Sequence, residues 1–152
     1  LCGLYAMNAA RLEKAFRHMG HDITPEDHVL EAGLGFAVAL GKGAFTGREA
    51  VLRKREEGLA RRLLQFRLRD PGPLLYHAEP ILRDGRIVGH LSSGAYGHSV
   101  GGAVGMGYVP CAGEGAEALL ASAWEIDVAG ARVPADASLR AFHDPSGARM
   151  RV

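Results

Sequence analysis

The sequence has little of what marks the more specialised classes of protein. Its only cysteines are Cys2 and Cys111, and they do not form a CxxC pair. Two cysteines exclude a disulfide framework, so we expect both to be reduced thiols in a cytoplasmic or matrix-like compartment. No apolar run reaches ~18 residues and no signal peptide is visible, so the sequence predicts no membrane span.

Neither sign of charge dominates. The 18 Lys and Arg residues nearly balance the 17 Asp and Glu residues, which leaves a net charge of +1. A charge this small creates no long-range field toward nucleic acid or a membrane surface, and we expect neither as a partner. The 152 residues, 47% of them apolar, are enough for one domain or two small ones. The opening Leu1-Cys2-Gly3, without an initiator methionine, is typical of a piece of a longer protein.

The first 58 residues combine helical patterns with turns. Apolar residues at helical spacing predict an amphipathic helix from Tyr5 to Met19. The apolar run from Phe36 to Leu40 predicts a short buried strand. Thr46-Gly47-Arg48-Glu49 has the order of a capping box and predicts a helix that continues to Glu57.

After Gly58 the apolar period changes from 3.6 to 2, which is typical of strands. Asp84-Gly85 between two apolar runs predicts a hairpin with a type I′ turn. The predicted strands lie at 64–68, 81–83, 86–88, 104–109, 124–128 and 132–139. Strands at this spacing favour a small barrel or sandwich. The sequence therefore predicts an α+β protein, with an α/β piece at 1–58 and a β domain at 59–152.

Two residue types that often carry chemistry give no site here. The glycine-rich stretch from Gly94 to Gly107 lacks the order of either nucleotide-binding loop, GxGxxG or GxxxxGK[ST]. Glycine in a strand more often permits a tight bend or a close backbone approach, and we predict that role. The seven histidines show no HExxH motif and no cysteine nearby, so no metal site is predicted.

Glu13 is the most specific candidate site residue. It lies at the edge of the apolar face of the first predicted helix, one turn before Phe16. A carboxylate in that position is either solvated or bonded to something specific. It can accept two parallel N–H bonds from a flat amidine-like edge, such as that of a pterin. Spacing alone leaves both possibilities open.

The order of motifs resembles that of the glycine-cleavage T-protein family. Arg11 to Arg17, followed by Gly20-His21-Asp22-Ile23, is similar to the family's "LR-E-KG…G-D-I" helix. Leu30 to Val38 resembles its "P-EAGLG-V" stretch. Later matches, in chain order, are Lys42 with Phe45 to Ala50, the barrel motifs from Glu79 to Val109, and Phe142 to Pro145 with Arg149. The resemblance covers essentially the whole chain and is strongest to the folate-binding half of dimethylglycine and sarcosine dehydrogenases.

This resemblance implies the C-terminal portion of an α/β lobe followed by a small antiparallel β-barrel. The implied reaction moves a one-carbon unit from a small N-methylated amine to tetrahydrofolate, and FAD would bind an N-terminal domain outside this sequence. By match to the family motifs, Glu13 would grip the pterin edge, and Lys42, Arg149 and Tyr5 would contact the folate. The family's catalytic aspartate lies upstream, so no catalytic residue is assigned in this chain, and we expect no turnover from the chain alone.

Two other functions stay open. One is a stand-alone aminomethyltransferase or a related folate-dependent methyltransferase. The other is a non-enzymatic folate-binding or scaffold relative, which would have lost the upstream aspartate. A nucleotide-binding glycine motif far upstream would favour the dehydrogenase.

Overall fold

Six antiparallel strands close into a barrel that carries most of the buried core. The computed structural model describes residues 1–151. The strands are β1 (Arg61–Leu68), β2 (Pro80–Arg83), β3 (Arg86–Gly97), β4 (Gly102–Pro110), β5 (Trp124–Val128) and β6 (Ala131–Ser138). Their order around the barrel is β1-β4-β3-β2-β5-β6, and β6 pairs with β1 to close it. The α+β class is confirmed, and the barrel forms rather than the sandwich.

Three α-helices accompany the barrel: α1 (Leu4–Glu13), α2 (Arg48–Glu57) and α3 (Ala116–Leu120). Short 3₁₀ helices lie at Gly35–Ala37, Leu40–Lys42 and Ala148–Met150. No helix within residues 1–151 has the length and apolar character needed to cross a bilayer.

Strand β1 shows how the period of two builds the core. Leu64 and Phe66 point into the barrel, where the Phe66 ring meets the edge of Trp124 with ring centroids 5.4 Å apart. Leu63 points outward and packs with Leu12 of α1. Because strand side chains alternate between faces, one strand serves both the barrel interior and the helix that covers it. The prediction of a separate unit at 1–58 and another at 59–152 stays a prediction, and this second apolar cluster spans that boundary.

The predicted hairpin and the predicted role of the glycines are confirmed. Asp84 and Gly85 join β2 to β3 with φ angles of 51° and 79°, as a type I′ turn requires. A Cβ on Gly94 would lie 2.7 Å from the Leu75 main chain. A Cβ on Gly107 would lie 2.5 Å from the His90 carbonyl oxygen. These glycines therefore permit close packing of backbone on backbone.

The first helix is shorter than predicted. It ends at Glu13 instead of Met19, and the chain then turns through Ala15, whose φ is 52°. Helix-terminal carbonyl groups must find other donors. The Leu12 oxygen accepts the N–H of Ala15 at 2.9 Å and the side-chain amide of distant Gln65, and the Glu13 main-chain oxygen accepts the N–H of His143 at 3.2 Å. Leu12 and Ala15 are buried as expected, but Phe16 and Met19 are exposed.

Two further predictions in the first 58 residues are wrong. Residues 36–40 form 3₁₀ turns rather than a strand, and Phe36 is exposed, because no neighbouring strand pairs with this segment within residues 1–151. The helix α2 begins at Arg48 after a left-handed Gly47, whose φ is 91°. Thr46 therefore lies one residue too early to act as N-cap, and the helix has no side-chain cap. The end of α2 at Glu57, before Gly58, is confirmed.

Candidate functional site

A buried carboxylate lies where three distant segments meet. Glu13, the last residue of α1, is 7% exposed. Its Oε1 accepts the main-chain N–H of Ser99, and its Oε2 accepts the Ser99 hydroxyl at 3.0 Å. Ser99 lies in the turn between β3 and β4. A Cβ on the neighbouring Gly97 would lie 3.3 Å from the Glu13 Cγ, so the glycine leaves room for the glutamate chain.

The C-terminal segment forms the third side of this junction. Lys14 donates from Nζ to the Asp144 carbonyl oxygen at 2.7 Å and to Oδ2 at 2.8 Å. The Asp144 carboxylate also accepts the N–H groups of Ala148 (2.9 Å) and Arg149 (3.3 Å). The hydrogen bond from Lys14 lowers the pKa of Asp144 below its ordinary value, against a smaller opposing effect of burial. One carboxylate therefore fixes the backbone that carries Arg149 next to the end of α1.

A second buried carboxylate, Asp22, holds the other side of α1. Its Oδ2 pairs with the Arg11 guanidinium and accepts the His18 N–H at 2.8 Å. Its Oδ1 accepts the Ser92 hydroxyl at 2.5 Å. Arg11 also donates to the Ser93 hydroxyl at 2.7 Å, so the network ties α1 to β3. The sequence motifs include Arg11 and Asp22 but do not predict that they pair. The one local signal for the pair is that a basic and an acidic residue lie on either side of a turn that contains a glycine.

An open cleft of about 370 Å³ lies beside this network. Tyr5 and Phe16 give it apolar walls, and Arg11 and Ser93 lie at its base. Its other lining residues include exposed apolar side chains of α1 and three histidines: Leu4, Met7, His18, His21 and His77. Tyr5 itself is 88% exposed.

The predicted folate contacts are therefore only partly brought together. Glu13 and the segment of Arg149 meet at one junction, whereas Tyr5 lines the cleft, to whose lining Glu13 does not belong. Lys42 lies on the exposed 3₁₀ helix Leu40–Lys42, and its side chain forms no hydrogen bond or ion pair with any described residue, so no contact joins it to the other three. The folate-binding role of all four residues stays a prediction.

A third polar cluster supports the start of the barrel. Glu31 is buried and accepts hydrogen bonds from Lys54 at 2.9 Å and from Arg61 Nε at 3.1 Å. Burial opposes ionisation of this carboxyl, but the bonds from Lys54 and Arg61 outweigh it and lower the pKa of Glu31. Arg61 also stacks over Tyr108 at 4.4 Å, and burial raises the pKa of Tyr108 to about 12. These residues have the contacts of a structural cluster, and none of them bonds to Glu13.

Metal-binding groups are sparse in this chain. Within residues 1–151, no cluster of three or more His, Cys, Asp or Glu side chains has the geometry to hold a metal ion. The His18 and His21 rings lie 4.7 Å apart between centroids and are tilted by 35°, but no third ligand joins them among the described residues.

Two family models, both of the glycine cleavage T-protein, match this chain, one in each half. Residues 61–144 match the model of the glycine cleavage T-protein C-terminal barrel domain, and residues 1–42 match that of the GCVT N-terminal domain. The structure superimposes on the glycine cleavage system aminomethyltransferase T from Bartonella henselae with a TM-score of 0.72 and 26% identity. That match covers 86% of this chain and 36% of the solved one.

Two relatives align along nearly the whole chain. The 4-methylaminobutanoate oxidase (formaldehyde-forming) of Paenarthrobacter nicotinovorans is 39% identical over 152 residues, which cover 99% of this chain and 18% of the relative. The mitochondrial sarcosine dehydrogenase of Homo sapiens is 33% identical over 153 residues, which cover 98% of this chain and 17% of the relative. The chain thus spans less than a fifth of the length of these curated relatives.

Proposed function

Because this chain belongs to the glycine cleavage T-protein family, we propose that it is the tetrahydrofolate-binding C-terminal part of a flavin-linked N-methyl amine dehydrogenase. The intact enzyme would oxidise a small N-methylated amine and pass the released one-carbon unit to tetrahydrofolate. FAD would be held by residues outside this chain. Relatives in the family include aminomethyltransferases and amine dehydrogenases, which supports an enzyme.

The observation that carries the proposal is the buried carboxylate of Glu13. A carboxylate oxygen has two lone pairs, and Ser99 occupies only one on each oxygen of Glu13. The remaining lone pairs can accept the parallel N–H groups of a pterin edge. Ser99 would then hold the carboxylate in a fixed orientation, so that binding costs less side-chain entropy.

The other residues of the chain would bind and shield the ligand rather than react with it. Tetrahydrofolate supplies the nitrogen that receives the carbon. Tyr5 and Phe16 offer an apolar wall along the cleft, and Arg149 offers a positive charge near the junction. The proton transfers would fall to residues outside this chain. This division supports the proposal that the chain alone has no turnover.

The dehydrogenase branch is favoured over a stand-alone aminomethyltransferase by the extent of the alignments. Two relatives that align over 99% and 98% of the chain are named as an oxidase and a dehydrogenase. The aminomethyltransferase of Halothermothrix orenii aligns over 70% of it. The dimethylglycine dehydrogenase of Rattus norvegicus also aligns over only 71% of the chain, so the preference rests on the two alignments that span nearly the whole chain.

A second candidate function is an amine oxidase that releases the carbon as formaldehyde. The relative from Paenarthrobacter nicotinovorans is named formaldehyde-forming. In that case both oxygens of Glu13 need no partner besides Ser99, and the junction is purely structural.

Calorimetry with tetrahydrofolate on the intact protein tests the first proposal. A Glu13→Gln variant offers one acceptor oxygen in place of two, so we expect it to lose ~1.5–3 kcal/mol of binding free energy. Glu26→Gln, a change of the same kind at an exposed position, should bind as the wild type does. Thermal unfolding of each variant separates lost binding from lost folding. Equal affinity of a folded Glu13→Gln protein would refute the role of Glu13.

The fate of the carbon distinguishes the two functions. Free formaldehyde is trapped during turnover of an N-methylated amine, with and without tetrahydrofolate. Free formaldehyde also condenses with tetrahydrofolate without an enzyme, so the reference is the Glu13→Gln protein turning over at the same rate with tetrahydrofolate present. If the folate captures the carbon at the site, methylenetetrahydrofolate should accumulate faster than in that reference, and trapped formaldehyde should fall by the same amount. Equal rates in the two proteins would support the oxidase instead.

A further inference from the structure

A second cavity, of about 440 Å³, lies at the far end of β4 from the Glu13–Ser99 contact. Ser99 lies just before β4 begins, whereas Cys111, which lines this cavity, lies just after β4 ends. The strand has 9 residues. At ~3.3 Å per residue the two places are roughly 30 Å apart, so this cavity is separate from the proposed folate junction.

The cavity has apolar walls, and the unneutralised charged side chains that line it are positive. Leu30, Leu40 and Leu59 provide apolar surface, and Arg55 and Arg62 provide two guanidinium groups. The one acidic lining residue is already neutralised. Both carboxylate oxygens of Glu114 accept hydrogen bonds from Arg83, at 3.1 and 2.6 Å.

The two arginines are unpaired in a region where neighbouring cations are paired. Lys54 and Arg61, each adjacent in sequence to one of them, both bind Glu31. Arg55 and Arg62 form no hydrogen bond or ion pair with any residue in the range 1–151, and the Nε of Arg62 is buried without an acceptor. A buried donor without a partner costs free energy, so its presence calls for an explanation.

We propose that this cavity binds a carboxylate carried on an apolar body, with Arg62 and Arg55 holding the carboxylate. A guanidinium presents a planar fork of N–H donors that matches a carboxylate. The leucine walls would bury the apolar part, and ~300–1,000 Å³ is the usual size of a small-molecule site. Because the apolar walls gain nothing from a compact inorganic ion, the site discriminates against free phosphate.

Ligand-observed NMR titration of the intact protein with hexanoate tests this site. Hexanoate should bind, whereas the neutral hexanamide and inorganic phosphate should bind at least about tenfold more weakly. Arg62→Met should weaken hexanoate binding at least about tenfold, because it removes a half-buried guanidinium whose Nε is buried without a partner. Arg55→Gln, at an exposed position on α2, should weaken it about three- to fivefold.

Arg53→Gln is the matched control, since Arg53 lies on the same helix outside the cavity and its loss changes the net charge equally. It should leave hexanoate affinity unchanged. Arg62→Met should also unfold at no lower temperature than the wild type, because it removes an unpaired buried donor. A ligand site predicts lost binding without lost stability, whereas a structural arginine predicts the reverse.

Three outcomes would overturn the proposal. Equal binding of hexanamide would mean that the guanidinium groups take no part. If phosphate bound as tightly as hexanoate, the leucine walls would contribute nothing to binding and the ligand would need no apolar body. Hexanoate binding that persists in both Arg62→Met and Arg55→Gln would place the ligand elsewhere in the protein.

Discussion

Ser99 donates two hydrogen bonds to Glu13, one from its main-chain N–H to Oε1 and one from its hydroxyl to Oε2 at 3.0 Å. The two residues are 86 positions apart in sequence. The link joins the end of α1 to the turn between β3 and β4. A buried carboxylate needs such donors, because burial of an unpaired charge is costly. The contact that stabilises the fold therefore also fixes the orientation of the Glu13 carboxylate, the group proposed to bind the pterin.

Replacement of Ser99 by alanine should weaken the folded state modestly. The variant leaves Oε2 of Glu13 without its donor but keeps the main-chain bond to Oε1. We expect the free energy of unfolding in urea to fall by ~0.5–1.5 kcal/mol. Ser146→Ala is the control, because the Ser146 hydroxyl is exposed and bonds to no other described residue. Equal stability of the two variants would mean that the main-chain bond alone holds Glu13.

The stability of the protein should depend on pH through Glu31. Hydrogen bonds from Lys54 and Arg61 outweigh burial and lower the pKa of this carboxyl in the folded state from 4.5. A lowered folded pKa stabilises the fold above the unfolded value, and that stabilisation is lost as the pH falls through the folded value. We therefore expect Glu31→Gln to be less stable than the wild type by ~1–2 kcal/mol at pH 7.

The measurement is urea unfolding at several pH values between neutral and acid. The difference between wild type and Glu31→Gln should shrink as the pH falls below about 4.5, because protonation removes the same charge as the substitution. Glu56→Gln, an exposed change on α2, should run parallel to the wild type throughout. A constant difference between wild type and Glu31→Gln across pH would contradict the assignment.

The barrel could be predicted from the sequence because its signals are local. The Asp84-Gly85 turn and the inward direction of Leu64 and Phe66 are encoded within a few residues, and the structure confirms both. The same holds for the glycines of β3 and β4, whose spacing indicated close backbone contact. In these elements, pattern and tertiary packing favour the same structure. Gln65, expected on a solvated face, is buried under α1 instead.

The end of α1 could not be predicted, because distant residues determine it. Besides the local N–H of Ala15, the Leu12 carbonyl accepts the side chain of Gln65, 53 positions away, and the Glu13 carbonyl accepts the N–H of His143. A periodic pattern carries no information on such donors, so the pattern predicts a helix that continues to Met19. For Glu13, the sequence indicated a carboxylate that could bond to something specific but could not name Ser99 as its partner.

Asp144 should control the order of the backbone that carries Arg149. Its carboxylate accepts the N–H groups of Ala148 and Arg149, and its φ of 43° suits glycine. Asp144→Gly therefore keeps the backbone conformation but removes both acceptors. We expect faster hydrogen exchange at the amides of Ala148 and Arg149.

Lys14→Met is the matched comparison for that variant. It removes the ion pair to Asp144 but leaves the acceptors for Ala148 and Arg149 in place. Exchange at the two amides should change less than in Asp144→Gly. If Arg149 contacts the folate as proposed, Asp144→Gly should also weaken tetrahydrofolate binding by the intact protein. Unaltered exchange in Asp144→Gly would show that other contacts order this segment.

Gly107 should tolerate no side chain, although its backbone is an ordinary strand. A Cβ there would lie 2.5 Å from the carbonyl oxygen of His90 on β3, and backbone in a closed barrel cannot move aside without strain in neighbouring strands. We expect Gly107→Ala to lower the free energy of unfolding by ~1–3 kcal/mol. Gly41→Ala is the control, because a Cβ at Gly41 meets nothing within 4 Å. It should be neutral or stabilising by up to ~1 kcal/mol, since alanine restricts the unfolded chain. Equal stability of Gly107→Ala and Gly41→Ala in urea would contradict the prediction. It would mean that β3 and β4 can move apart at Gly107 at no cost, which a closed, hydrogen-bonded barrel should not allow.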